Sequence, residues 1–210
     1  MPKTKPFDRY WKRYEEWFEK NKYVYLSEVK CLEKLVPKKG TGMEVGIGSG
    51  RFALPFGIKI GIEPSEKMAN ICLKKGIFVV KGVAENLPFF DESFDYILMV
   101  TTVCFVDDIM KSFSEVYRVL KNKGKFIVGI VDRNSFLGRF YEERKNKNVF
   151  YKYATFYSTE EIMDYMEKAK FKNFKIYQTI FKLPSQIFKI EPVKKGYGEG
   201  GFVGICGKKE

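Results

Sequence analysis

Residues 40–51 read Gly40-Thr41-Gly42-Met43-Glu44-Val45-Gly46-Ile47-Gly48-Ser49-Gly50-Arg51. Gly40 to Gly42 form a turn, and Met43 to Ile47 predict a short apolar strand. The strand runs into a loop with a glycine at every second position. Glycine lets a chain turn sharply and brings a ligand against bare backbone. Such a loop alone serves several dinucleotide and nucleoside binders, so its surroundings must decide.

Downstream, Ile58 to Glu63 predicts a second strand that ends at Pro64-Ser65. Ser65 can cap a helix from Glu66 to Lys74 or Lys75, closed by Gly76. Ile77 to Val80, Phe94 to Val100 and Phe126 to Val131 are further apolar runs, with a helical stretch from Ile109 to Leu120. Apolar strands alternating with helices indicate a parallel sheet covered on both faces. A capping box, Ser158-Thr159-Glu160-Glu161, starts another helix. Phe174 to Phe181 and Gly201 to Gly207 predict two more strands. The expected fold is therefore α/β, Rossmann-like and doubly wound, with a mostly parallel seven-stranded sheet. Residues 196–201, though glycine-rich, lack a framing strand and helix and read as a turn.

Glu63 stands seventeen residues after Gly46, at the end of the second strand. A carboxylate there can accept hydrogen bonds from both hydroxyls of a ribose. Its alternative role is to cap the following helix. A dinucleotide reading fits less well, because a G-x-G-x-x-G count from Gly46 places Arg51 at the third glycine. That position packs a helix closely against the sheet.

The order of four stretches resembles a known family. They are Glu44 to Arg51, Gly61 to Met68, Gly82 to Phe89 with Asp91 to Asp95, and Tyr117 to Gly124. Together they resemble the class I S-adenosylmethionine-dependent methyltransferases, type 11, the small-molecule branch that includes the ubiquinone and menaquinone methylases. The resemblance implies S-adenosyl-L-methionine as cofactor and S-adenosyl-L-homocysteine as product. By the same resemblance, Glu44 would fix the loop and approach the methionine amino group. Gly46, Ile47, Gly48 and Gly50 would pass beneath the methionine and ribose. Glu63 would hold the ribose hydroxyls, with Pro64 and Met68 beside the adenine. Val83, Ala84 and Glu85 would border the adenine's far edge, and Thr101 would face the sulfonium. The sequence departs from the family at three places. Val83 replaces a frequent Asp, so Glu85 or backbone would have to reach the adenine amino group. Pro55 shortens the helix after the glycine loop. Phe105 stands where the quinone-type members often carry a histidine.

The chain divides into an N-terminal helical cap (1–36), a cofactor-binding core (37–132), an aromatic and basic insertion (133–157) and a last helix with two strands (158–210). Within the cap, Tyr10, Trp11, Tyr14, Trp17 and Phe18 form an aromatic stripe at helical spacing. A second helix is expected over Leu26 to Leu35. The acceptor pocket should lie beyond the carboxyl ends of the fourth and fifth strands. Tyr10, Tyr14, Phe105 and Arg133 are its candidate residues, and the insertion is a candidate lid. Aromatics at helical spacing are more often core than cage.

Composition narrows the chemistry. The 210 residues contain no histidine, which excludes imidazole-based triads. Four cysteines stand far apart and form no metal-ligand pair, so no metal is expected. No apolar run is long enough to span a bilayer, and no secretory signal is evident, so a cytoplasmic protein without a membrane span is expected. The formal charge of +12 is spread over the chain and reads as solvated surface before a nucleic-acid footprint. A small-molecule methyl acceptor is the leading partner, with a monomer or small homo-oligomer. An RNA or protein methyltransferase, and a cofactor-binding subunit without activity, remain the alternatives.

Overall fold

The computed structural model describes residues 3–210. Residues 1 and 2, the start of the expected cap, lie outside the described residues. The N-terminal region folds as α1 (Lys5–Arg9), α2 (Trp11–Lys20) and α3 (Lys22–Leu32). The aromatic stripe predicts helix from residue 8 onward, and the structure breaks it twice. Tyr10 closes α1 by donating its backbone N–H to Pro6. Asn21 closes α2, with its side-chain amide donating to the Trp17 carbonyl at 3.0 Å. A short polar side chain that competes for backbone groups in this way ends a helix that periodicity alone would continue.

Beyond the cap come β1 (Gly42–Val45), β2 (Ile60–Ile62), α4 (Glu66–Lys74), β3 (Phe78–Val80), β4 (Phe94–Val100), α5 (Ile109–Val119) and β5 (Leu120–Val131). They are followed by α6 (Phe136–Arg144), α7 (Thr159–Lys168), β6 (Lys172–Thr179), β7 (Lys194–Lys195) and β8 (Phe202–Lys208). One sheet runs in the order β3-β2-β1-β4-β5-β8-β6-β7. Strands β1 to β5 pair in parallel. The last strand, β8, enters antiparallel between β5 and β6. The sheet thus has eight strands, one more than the seven expected. The extra strand is β7, two exposed lysines that pair Tyr177 with Lys195 and Gln178 with Lys194. Two polar residues carry no hydrophobic period, so the sequence gives no sign of them.

Both faces of the sheet are covered. Met43, Val45, Ile97, Val128, Val203 and Ile205 face α5 and α7, packing on Phe113, Val116, Ile162 and Met166. The other face carries Leu98, Ile127 and Cys206, packed on the cap residues Phe18, Cys31, Leu32 and Leu35 and on Leu137 of α6. The alternation along each strand sends successive side chains to opposite layers. The capping box of α7 is present, with Ser158 and Glu161 exchanging side-chain-to-backbone bonds. The shortened helix after the glycine loop is a single 3-10 turn, Leu54–Phe56, with Pro55 inside it.

Strand order reverses at β1, with β2 on one side and β4 on the other. The carboxyl ends of neighbouring strands diverge at such a switch point and leave a crevice for a ligand.

Candidate functional site

The strand β1 stops at Val45 because Gly46 takes φ +68°. A side chain at Gly46 would also strike Thr102, whose Cγ2 lies 2.3 Å from the position of an added Cβ. The Thr102 hydroxyl in turn donates to the Gly46 carbonyl at 3.3 Å. The loop then folds over the end of β2. The Gly48 N–H donates to Glu63 Oε2 at 2.7 Å, and the Ser65 N–H donates to Oε1 at 2.8 Å. Glu63 is thus held at the junction of the glycine loop and the next helix. It fastens the turn that starts α4, and it lines the cavity beside the glycine loop.

Electrostatics at this end are acidic and dry. Burial pushes the Glu63 carboxyl up to about 7, against the pull of its two backbone N–H donors. Glu44 is fully enclosed behind the loop, and burial together with the charge of Glu63 holds it well above the usual carboxylate range. The Ala53 N–H serves one of its oxygens, and the other, Oε2, has no partner. An orphaned buried carboxylate oxygen calls for a donor or a cation. The backbone at Gly48 is bare toward the cavity. An added Cβ there would meet only the Tyr14 hydroxyl at 3.4 Å and Met68 Cε at 3.8 Å. A ligand with an ammonium group and a ribose fits this set of acceptors.

A cavity of about 650 Å³ extends from this corner. Gly46, Gly48, Glu63, Pro64, Met68, Val83, Ala84, Glu85 and Thr101 of the expected cofactor residues line it. Glu44, Ile47 and Gly50 stand behind the lining. Val83 presents no polar side chain. Glu85 is committed elsewhere, its Oε1 accepting from the backbone N–H groups of Asp107 at 2.7 Å and Asp108 at 3.2 Å. It thereby fixes the loop that leads into α5. Thr101 takes φ +49° as β4 ends, turning the chain along the cavity wall.

The acceptor candidates divide. Tyr14 and Phe105 line the cavity, whereas Tyr10 and Arg133 do not. Tyr10 stacks with Arg9 outside, and Arg133 pairs with Glu161 at 2.9 Å at the start of α7. Tyr14 reaches over Gly48, and burial of its hydroxyl beside Glu44 and Glu63 raises its pKa far above the ordinary range. Phe7, Tyr14, Phe105 and Phe150 form one ring cluster in the cavity wall. Phe7 sits 5.2 Å from Phe105, 5.4 Å from Phe150 and 5.9 Å from Tyr14, centroid to centroid. The cap and the insertion thus meet above the site.

Sequence reasoning missed what holds the cap there. Glu15 of α2 accepts from Ser49 of the glycine loop and forms a two-point pair with Arg51, at 3.1 and 2.8 Å. Lys75 donates to the Ser49 carbonyl at 2.8 Å. Asp8 accepts from the Ser65 hydroxyl at 2.6 Å and from the Lys67 N–H at 3.2 Å, at the start of α4. Glu15 and Asp8 read as ordinary surface charges in a sequence this rich in them.

The raised carboxyls make stability pH-dependent. A carboxyl whose folded pKa exceeds its unfolded one stabilises the fold below the unfolded value and loses that contribution as pH rises through the folded one. For Glu63 that window runs from its ordinary 4.5 to about 7. The free protein is expected to melt at lower temperature at pH 8 than at pH 6, and a cationic cofactor should narrow the difference. Thermal scans with and without the cofactor measure this.

Comparison with known proteins agrees with the site. A family model described as a methyltransferase domain, type 11, matches residues 43–128. The chain is 49% identical over 203 residues to an uncharacterized protein of Methanocaldococcus jannaschii, covering 97% of this chain and 98% of the other. A ubiquinone/menaquinone biosynthesis C-methyltransferase of Rickettsia typhi is 38% identical over 104 residues, 40% of this chain and 42% of its own. A crystal structure from Thermotoga maritima superposes with a TM-score of 0.97 at 58% identity, over 99% of this chain and 100% of that one. That protein is described as a SAM-dependent methyltransferase, possible histamine N-methyltransferase. Among the described residues no helix is long and apolar enough to cross a membrane. The crevice at the strand-order switch, the glycine loop over it and these relatives agree that the chain belongs to the class I S-adenosylmethionine-dependent methyltransferases, type 11.

Proposed function

We propose that this protein transfers the methyl group of S-adenosylmethionine to a small molecule enclosed with the cofactor in one cavity. The observation that carries the reading is the ring cluster of Phe7, Tyr14, Phe105 and Phe150, which closes cap and insertion over the cofactor corner. A pocket of about 650 Å³ lies in the range that takes ligands of drug size. An RNA or a folded protein would have to bring its acceptor atom past these rings, which a small molecule does more readily. The description of the Thermotoga maritima relative names a small amine, which suits such a space.

The cofactor supplies an electrophilic methyl group on a sulfonium. The residues of this chain supply position and environment. Glu63 would accept from the ribose hydroxyls, its carboxylate being held in place by the Gly48 and Ser65 N–H groups. Glu44, behind the loop, would accept from the ammonium group of the methionine end through its unpartnered oxygen. Pro64 and Met68 would flank the adenine, and Thr101 lines the wall where β4 ends. Phe7, Tyr14 and Phe105 keep water from the reacting centre. Alignment of two reactants contributes roughly 7–11 kcal/mol to such a displacement. No histidine is needed where the acceptor atom carries its own lone pair.

The test is transfer of radiolabelled methyl from S-adenosylmethionine to a panel of small acceptors that includes histamine, other amines, thiols and phenols. Incorporation into at least one small acceptor, with none into bulk transfer RNA or protein, is expected. Incorporation confined to RNA or protein would overturn the small-molecule reading.

A further inference from the structure

The cavity holds a third carboxylate that the cofactor leaves unused. Glu28 of α3 is only 6% exposed, and it lines the cavity. Among the described residues, burial is the one influence on its carboxyl. No hydrogen bond, ion pair or neighbouring charge offsets it, and its pKa rises to about 8. The cavity-lining cations Lys3, Arg13 and Lys111 do not reach it. A buried carboxyl is ordinarily partnered, so one that is not marks a place where a ligand can supply the partner.

The walls around it are aromatic. Tyr141 of α6 and Tyr151 also line the cavity, with ring centroids 5.1 Å apart and a tilt of 43°. The charge of Glu28 raises the pKa of both phenols, as it does for Tyr25 and Cys31 on its own helix. Among the described residues, these four are the titratable groups on which its charge acts. Burial keeps each of them neutral near pH 7, so Glu28, once a bound cation draws off its proton, is the group that carries negative charge in this corner. A carboxylate between aromatic rings selects a cation: the rings favour positive charge over their faces, and the carboxylate accepts its hydrogen bonds.

We propose that Glu28, with Tyr141 and Tyr151, is the subsite for the positively charged end of the methyl acceptor, which is a small amine with an apolar body. This rests on the methyltransferase reading. Cofactor and acceptor then bring two positive charges into one dry space. Glu44 and Glu63 answer the first, and Glu28, on a separate element, answers the second. The aromatic walls accommodate the acceptor's body and the charge sets its orientation.

Calorimetry on the full-length protein tests the assignment, with 2-phenylethylamine and its neutral counterpart 2-phenylethanol as probes. Titrations are made with S-adenosylhomocysteine-loaded and with free protein. At pH 7 the amine is expected to bind at least tenfold more tightly than the alcohol. Because Glu28 is largely protonated below about 8, its binding should release a proton, read as a dependence of the heat on buffer ionisation. Amine affinity should also rise between pH 6.5 and pH 8. Glu28→Gln should abolish the preference and the proton release while leaving alcohol and S-adenosylhomocysteine affinity unchanged. Glu28→Asp, which keeps the charge, should restore part of the preference. Equal binding of amine and alcohol, binding of neither, or a preference that survives in Glu28→Gln would overturn the assignment. Failure of S-adenosylhomocysteine to bind would instead count against the methyltransferase reading, and the free-protein titration would still decide on Glu28.

Discussion

Glu63→Ala is expected to weaken S-adenosylmethionine binding about 100-fold while the protein remains folded. Hydrogen bonds to a charged group contribute about 1.5–3 kcal/mol each, and 1.4 kcal/mol corresponds to a tenfold change in affinity. Glu63 acts twice, through the ribose and through the loop, since Gly48 donates to it at 2.7 Å. Loss of the carboxylate frees that N–H and lets the loop drift from the end of β2. The cost to the fold is small by comparison, because a carboxyl that burial pushes up to about 7 is itself held at some expense. Calorimetry for affinity and a thermal melt for the fold separate the two effects. A folded variant with unchanged affinity would remove Glu63 from the cofactor site.

The largest effect on stability is expected at Gly138. This residue lies in the first turn of α6, and its N–H donates to the capping Ser135 hydroxyl at 3.0 Å. An added Cβ would stand 2.1 Å from the Asp132 carbonyl oxygen and 2.7 Å from Arg133 Cα. Both are backbone, and Asp132 is itself fixed, accepting from Thr159 at 2.7 Å and from the Asn134 N–H at 2.8 Å. Neither neighbour can give way, so Gly138→Ala falls at the upper end of overpacking costs, about 3 kcal/mol. In a chain of this size that lowers the melting temperature by roughly 6–12 °C. The same contact sets the angle at which α6 carries Leu137 and Tyr141 to the cavity, so acceptor binding should suffer more than cofactor binding. A melt unchanged from that of the native protein would mean that α6 does not approach β5 this closely.

The parts of the fold legible in the sequence are those in which local chemistry and global architecture agree. The strand β1 and its glycines, Glu63 at the end of β2, Ser65 as a cap and the capping box at Ser158 each carry a local signature, and each stands where expected. Where tertiary packing decides, the sequence is silent. Glu28 shares a helix face with Val24, four residues before it, and Cys31, three after it, and all are buried. That spacing was the available signal. A charged residue on a helix nonetheless reads as solvent-facing unless the layer above it is known, and that layer comes from α6 and the turn at Tyr151. Glu15 went unread for the same reason, because its partners Ser49 and Arg51 are more than thirty residues away. Glu85 lines the cavity and also holds the α5 loop through Asp107 and Asp108, a second role that no local pattern in the sequence signals.

The most direct test of the account is calorimetric titration of the purified protein with S-adenosylmethionine and S-adenosylhomocysteine, with NAD as the control. Both sulfur nucleosides should bind in the micromolar range and NAD should not, since Arg51 stands where a dinucleotide-binding loop carries the third glycine that packs its helix against the sheet. Binding of NAD, or of neither sulfur nucleoside, would contradict the assignment of the glycine loop, Glu44 and Glu63 to this cofactor.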